Sequence, residues 1–200
     1  MKKILVLLLL ALALPGALFA KSSIDYTNSG GTLAGSSSGL TLSGSVLIAV
    51  NGLNGLITGN DLGSVSFTTG ALVSGSLQMG GVFAAGGTFT ITGNGTNGIA
   101  NGVLFTGTFS SPVTWTLVTL ANGTHNYTLT GTLSGTTGSG YQTVGVTVQL
   151  TVNTGKGFFN GSTTISSGDT NVVVPEPGSL TLLGTGLLGI AGAVRRKLKL

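Results

Sequence analysis

Few side chains in this chain could carry chemistry, and each can be named. Its 200 residues include one His, no Cys, and only four Asp and Glu together. His125 could act as a base for a serine nucleophile, with Asp25, Asp61 or Asp169 as the orienting carboxylate. Nothing in the spacing assembles such a triad, and no Gly-x-Ser-x-Gly elbow precedes a helical pattern. The same three aspartates would have to supply both carboxylates for glycoside hydrolysis. Asp61 follows Asn60 and Asp169 follows Gly168, contexts in which an Asp side chain supports a turn. His125 lies in Ala-Asn-Gly-Thr-His-Asn, which reads as an exposed turn leading into a strand at Tyr127. A zinc site needs three or four ligands that the body does not readily provide. Asp61 with Asn60, or Asp169 with Asn171, falls short of the ligand density of a calcium loop. The expectation is a non-enzyme with no catalytic residue, metal or cofactor.

Binding chemistry is equally sparse. Trp115 is the single tryptophan, and it shares one strand face with Val113 and Leu117, so it is expected in the core rather than on a sugar-binding surface. Tyr26, Tyr127 and Tyr141 are scattered, and Tyr127 shares its face with Leu129. Asn-x-Ser/Thr sequons at Asn94, Asn122, Asn126 and Asn160 arise readily by chance in a chain of this composition. The formal net charge of +4 suggests an acidic partner until it is located. Between residues 21 and 174 the charges are Lys21 and Lys156 against Asp25, Asp61 and Asp169, one negative charge in excess. No basic patch exists to neutralise phosphates, which excludes nucleic acid as a partner.

The elements that position these residues are strands. Gly accounts for 36 residues, far above the ordinary share of about 7%, yet periodicity argues against disorder. Val144, Val146, Val148, Leu150 and Val152 alternate with polar or small residues, the pattern of a half-buried strand. Val113 to Leu117, Tyr127 to Leu133, Phe89 to Ile91 and Val65 to Phe67 do the same, and Leu40 to Val50 does so more weakly. Asn-Gly and Gly-rich turns separate them, at Asn51-Gly52, Asn94-Gly95, Asn122-Gly123, Gly138 to Gly140 and elsewhere. The Ser- and Gly-rich stretch from Ser22 to Gly39 reads as a loose lead-in, although Ile24 to Tyr26 could add a strand. The fold class predicted is all-β, an antiparallel β-sandwich or jelly-roll-like body, with a β-solenoid as the alternative. With no disulfide available, stability must come from an apolar core and backbone pairing.

Two helical segments are predicted to flank this body. At the N-terminus Lys2 and Lys3 precede an apolar run from Ile4 to Leu14, Pro15-Gly16 breaks it, and Ala17-Leu18-Phe19-Ala20 offers small residues. This is the pattern of a secretory signal peptide, residues 1–20, cleaved after Ala20. The run is too short for an uncleaved anchor, and the missing Cys rules out a lipoprotein anchor. At the C-terminus, residues 174–200, Pro175-Glu176-Pro177 forms a stiff connector. The uncharged run from Leu180 to Val194 follows, with Leu182, Leu183, Leu187, Leu188 and Ile190 as its larger apolar members. As a helix it reaches about 22 Å, a marginal transmembrane span. Arg195, Arg196 and Lys197 then form a basic end, which places the C-terminus in the cytoplasm and the body, residues 21–173, outside.

The order of these parts resembles the PEP-CTERM sorting signal of exported proteins in Gram-negative bacteria that also make exopolysaccharide. The resemblance rests on Pro175-Glu176-Pro177, Gly178-Ser179-Leu180, the Gly-punctuated apolar run and Arg195-Arg196-Lys197. It implies processing near the Pro-Glu-Pro by an exosortase, a membrane-embedded transpeptidase-like enzyme, with this chain as substrate. It also implies a precursor held transiently in the inner membrane, delivery to the cell surface or extracellular matrix, and a possible association with exopolysaccharide in a biofilm. Glycosylation of exported members is a further implication. The body is then expected to be structural or adhesive. The alternatives are a carbohydrate-binding module of the sandwich type, or a periplasmic protein held by a plain single span.

Overall fold

Period-two alternation persists where facing strands stay in register and reverses wherever a bulge inserts a residue. A computed structural model of the chain describes residues 22–52 and 55–174. The predicted signal-peptide and transmembrane helices lie outside the described residues, among which there is no helix. In chain order the strands are β1 (Ser22–Ser29), β2 (Thr32–Ser36), β3 (Gly39–Gly52), β4 (Gly55–Thr68), β5 (Leu72–Ser76), β6 (Gly80–Phe83) and β7 (Gly86–Asn94). They continue as β8 (Asn101–Phe109), β9 (Val113–Thr119), β10 (His125–Thr137), β11 (Gln142–Asn153), β12 (Ser162–Thr164) and β13 (Ser167–Val174).

These strands do not stack as two sheets. Hydrogen bonding runs β11-β13-β1-β3-β4-β7-β8-β10, and β10 pairs back onto β11, so eight strands close into a barrel. The all-β reading stands, but the sandwich or jelly roll is corrected to a barrel, and the antiparallel pairings also replace the solenoid alternative. The physical reason is at the chain's ends. First strand β1 lies beside last strand β13, so edges that a sandwich would leave open are paired. The stretch from Ser22 to Gly39 is therefore no loose lead-in. It holds β1 and β2 and buries Tyr26, Asn28 and Leu33. Its buried polar groups are satisfied internally, because Asn28 Nδ2 donates to Ser45 Oγ at 2.7 Å and Ser45 Oγ donates to the Ser29 carbonyl at 3.1 Å.

Two branches leave the ring where long strands divide their partners. β3 pairs β2 through Gly39 to Ser43 and β1 through Val46 to Asn51. β10 pairs β9 through His125 to Thr130 and β8 through Leu133 to Thr137. β9 continues into β6 and β5, and β2 into β12. Inside the ring, Phe67 and Phe89 are cross-strand partners with near-parallel rings 5.8 Å apart, and Phe109 meets them edge-on at 5.9 and 6.2 Å. Between the branches, Trp115 stacks on Tyr127 at 4.9 Å and Phe159 packs against both. The outward positions of the long strands are largely Thr, Ser, Asn, Gln and Gly, so the apolar face lies inside, the reverse of a membrane-spanning barrel.

β11 shows how a bulge edits the alternation. Val146, Val148, Leu150 and Val152 are buried as predicted, whereas Val144 is 76% exposed and Thr143 is buried in its place. Gly145, at φ +72°, is the extra residue between the Leu133–Val146 and Ser134–Val144 pairs. It turns the side chains before it to the opposite face, and the Thr143 hydroxyl then donates to the Val173 carbonyl. β3 does this twice, which explains its weak alternation. Leu40 and Leu42 face inward, then Ser45 and Leu47, then Val50, with register shifts between them. An alanine Cβ at Gly145 would meet no other atom, so the cost of Gly145→Ala is that of the left-handed backbone, about 1–2 kcal/mol in urea unfolding. Val144→Ser, on the exposed side of the bulge, is expected to change stability by no more than about 0.5 kcal/mol.

Candidate functional site

The closing seam of the barrel brings two of the aspartates to one place. Asp25 on β1 and Asp169 on β13 both line an outward groove of about 520 Å³, with Thr130, Thr147, Gln149 and Asn171 nearby. Thr27 Oγ1 donates to Asp169 Oδ1 at 3.0 Å across a sequence separation of 142 residues. Partial burial first, and the neighbouring Asp169 charge second, push the Asp25 carboxyl above its ordinary value of 3.8. Sequence spacing gave no sign of this pair, because only the pairing of first and last strands creates it. Asp169 is not in the turn expected for it but in the interior of β13. The preceding Gly168 packs against the Asn28 side chain, leaving no room for a Cβ.

The remaining candidates stay apart. Asp61 on β4 accepts from the Gly63 N–H at 3.0 Å and from Asn94 Nδ2 at 3.2 Å, the local support expected of it, although inside a strand. His125 corrects its prediction, since it is only 7% exposed and opens β10 rather than sitting in an exposed turn. Its ring stacks on Phe158 with centroids 4.2 Å apart, and Nδ1 lies 3.2 Å from the Gly157 carbonyl. The cause is the loop after β11, whose Gly155 carbonyl accepts from the His125 N–H and folds the following Phe pair over the imidazole. The carboxylate pair and the imidazole thus form no triad. Among the described residues no three His, Cys, Asp or Glu side chains cluster as metal ligands. The groove offers hydroxyl, amide and carboxylate oxygens.

Trp115 and Tyr127 are buried as predicted, and so is Tyr26. Their polar tips are used within the fold. Trp115 Nε1 donates to the Leu77 carbonyl at 2.9 Å, and the Tyr127 hydroxyl donates to the Gln78 carbonyl at 2.7 Å while accepting from the Phe159 N–H at 3.0 Å. Tyr141 and Phe158 are exposed, but at opposite ends of the barrel, so among the described residues no aromatic row faces solvent.

At the other end of the seam, β13 runs to Val174 and Pro175 is the next residue. The named sites Ala20, Pro175, Glu176 and Pro177, the run from Leu180 to Val194, and Arg195, Arg196 and Lys197 lie outside the described residues. A family profile described as the PEP-CTERM protein-sorting motif matches residues 173–197. The chain carries a PEP-CTERM sorting motif. It is thereby an exosortase-targeted exported protein, made as a membrane-anchored precursor and processed for the surface or extracellular space. No curated protein and no solved structure matches the chain. The PEP-CTERM motif overlaps the barrel at Val173 and Val174, and the Val173 carbonyl is already bonded by Thr143.

Two measurements test these readings. A carboxyl whose folded pKa is raised binds its proton more tightly in the folded state, so its ionisation lowers stability as pH rises from 3.8 through the folded value. Asp25→Asn is therefore expected to raise the melting temperature at pH 7, with the gain shrinking to nothing below pH 3.8. Tyr127→Phe leaves the buried Phe159 N–H without its acceptor and is expected to cost about 1–3 kcal/mol in urea unfolding.

Proposed function

We propose that this protein is a non-enzymatic structural or adhesive component of the cell surface or extracellular matrix of a Gram-negative bacterium, embedded in exopolysaccharide within a biofilm. In this reading the signal peptide is removed after Ala20, and Leu180, Leu182, Leu183, Leu187, Leu188, Ile190 and Val194 span the inner membrane. Arg195, Arg196 and Lys197 hold the cytoplasmic side, while Pro175, Glu176 and Pro177 are recognised by the exosortase. The observation that carries it is a sorting motif set directly behind the last strand of a barrel with a nearly neutral, hydroxyl-rich outer face. A polar uncharged surface is compatible with a hydrated neutral polymer, because neither partner must give up ionic solvation. Among the described residues no exposed row of aromatics favours the carbohydrate-binding alternative.

Cleavage near Pro175 would leave the barrel whole. The pairs joining β13 to β11 lie between Ser167 and Asn171, upstream of the motif. Intact-mass analysis of the exported protein, from hosts with and without the exosortase, tests the processing. The mature species is expected to begin at Lys21 and to end near Pro175 to Pro177 only where the enzyme is present. A C-terminus at Leu200 in both hosts would sink this reading. Combined Pro175→Ala and Pro177→Ala substitution is expected to leave the tail attached in the competent host.

A further inference from the structure

The end of the barrel from which the chain departs carries an unexplained set of apolar side chains. Asp25 near the start of β1 pairs with Asn51 near the end of β3, and the successive antiparallel pairings carry that level around the ring. Hairpins β3–β4, β7–β8 and β10–β11 all turn at this end, and β13 reaches Val174 there. Each hairpin exposes a large apolar residue within two pairs of its tip. Leu56 opposite Asn51 is 66% exposed, Val103 opposite Thr92 is 48%, and Val144 opposite Ser134 is 76%. Tyr141, in the third turn, is 38% exposed. An apolar cleft of about 270 Å³, lined by Ile24, Ile57, Ile99 and Leu104, opens at the same end.

What lies opposite this end follows from chain length. Pro175 to Ser179 separate Val174 from the apolar run at Leu180, and five extended residues reach at most about 18 Å. The far end of the barrel also exposes apolar side chains, Met79 and Val118 among them, but no membrane segment is tied to it so closely. We propose that in the anchored precursor the terminus-bearing end of the barrel rests on the phospholipid surface, with Leu56, Val103, Tyr141 and Val144 entering the headgroup region. The tether supplies a high local concentration, so a contact too weak to bind free protein suffices. Among the described residues Lys156 is the sole Lys or Arg, and it follows β11 at the far end. No cation draws this end to anionic lipid and Asp25 lies near it, so the contact rests on apolar side chains and added salt does not weaken it. It would hold Pro175 to Pro177 at the membrane interface, where a membrane-embedded enzyme can reach them.

This inference rests on the anchored precursor, and the test separates the two. The chain has no Cys, so Leu56→Cys, Val103→Cys and Val144→Cys each accept a single environment-sensitive fluorophore, with Met79→Cys and Val118→Cys as far-end controls and Gly186→Cys marking the apolar run. The signal-cleaved precursor, residues 21–200, is reconstituted in phosphatidylethanolamine and phosphatidylglycerol vesicles containing nitroxide-labelled lipid. Expected is blue-shifted, lipid-quenched emission at 56, 103 and 144, not reduced by added salt, and solvent-like emission at 79 and 118. Quenching at 186 without quenching at 56, 103 and 144 overturns the docking and leaves the anchor intact. Absence of quenching at 186 overturns the anchor itself and the docking with it. Equal quenching at both ends also overturns the proposal, as does a blue shift at 56, 103 and 144 that appears in detergent and grows with protein concentration, which assigns those side chains to a second copy.

Discussion

The barrel hangs on a fork in β10. This strand pairs with β11 throughout, while its other side passes from β9 to β8 at Gly131 and Thr132. A strand can bond only one neighbour at each point, so the change of partner needs a gap into which the connecting chain can turn. Gly131 provides it. Phe109 and Val113 pack where its Cβ would be, and the connecting Ser110 N–H donates to the Thr132 carbonyl at 2.9 Å. Through this fork the ring closes on β8 while the β9, β6 and β5 branch covers the Trp115, Tyr127 and Phe159 cluster.

Closure also explains how so quiet a chain is stable without disulfides. The eight-strand ring has no free edge of its own, and the branches end in the short strands β5 and β12, which leave little edge for strand addition. The interior holds a Phe cluster in register across β4, β7 and β8, and the few interior polar groups answer one another. Charge is then not needed for folding, and the outer face is left to hydroxyls and amides. The cost appears at the seam, where closing β1 against β13 partly buries Asp25 and sets Asp169 beside it, both of which raise the Asp25 pKa.

A folded unit that ends where its sorting motif begins imposes a constraint on processing. Val173 and Val174 belong to both strand and motif, so a bond upstream of Pro175 is open to an enzyme only if β13 leaves the sheet. Proline suits that boundary, since it lacks the N–H that would continue the ladder and fixes its own φ.

Local signals carried much of this into the sequence. Alternation marked β3, β4, β7, β9, β10 and β11 but not β2, β5, β6, β8, β12 or β13, and Asn-Gly and Gly clusters marked turns such as Gly123 at φ +80°. The shared face of Val113, Trp115 and Leu117 put the tryptophan inside, and the order of Pro-Glu-Pro, apolar run and basic cluster identified the sorting signal. These are properties of neighbours in the chain. Closure was not legible, because whether strands form a sandwich or a ring depends on which distant strands pair, and β1 and β13 carry no mark of each other. The outward turn of Val144 depended on Gly145 taking a left-handed conformation, which a glycine permits but does not announce. The burial of His125 depended on a loop some thirty residues away, about the separation of the bond between its Nδ1 and Gly157. Sequence by itself determined the strands with clear alternation, many of their turns and the export of the protein. Tertiary structure alone decided the barrel, the meeting of Asp25 and Asp169, and the apolar rim at the end where the chain leaves, since each arises from pairing between segments far apart in the chain.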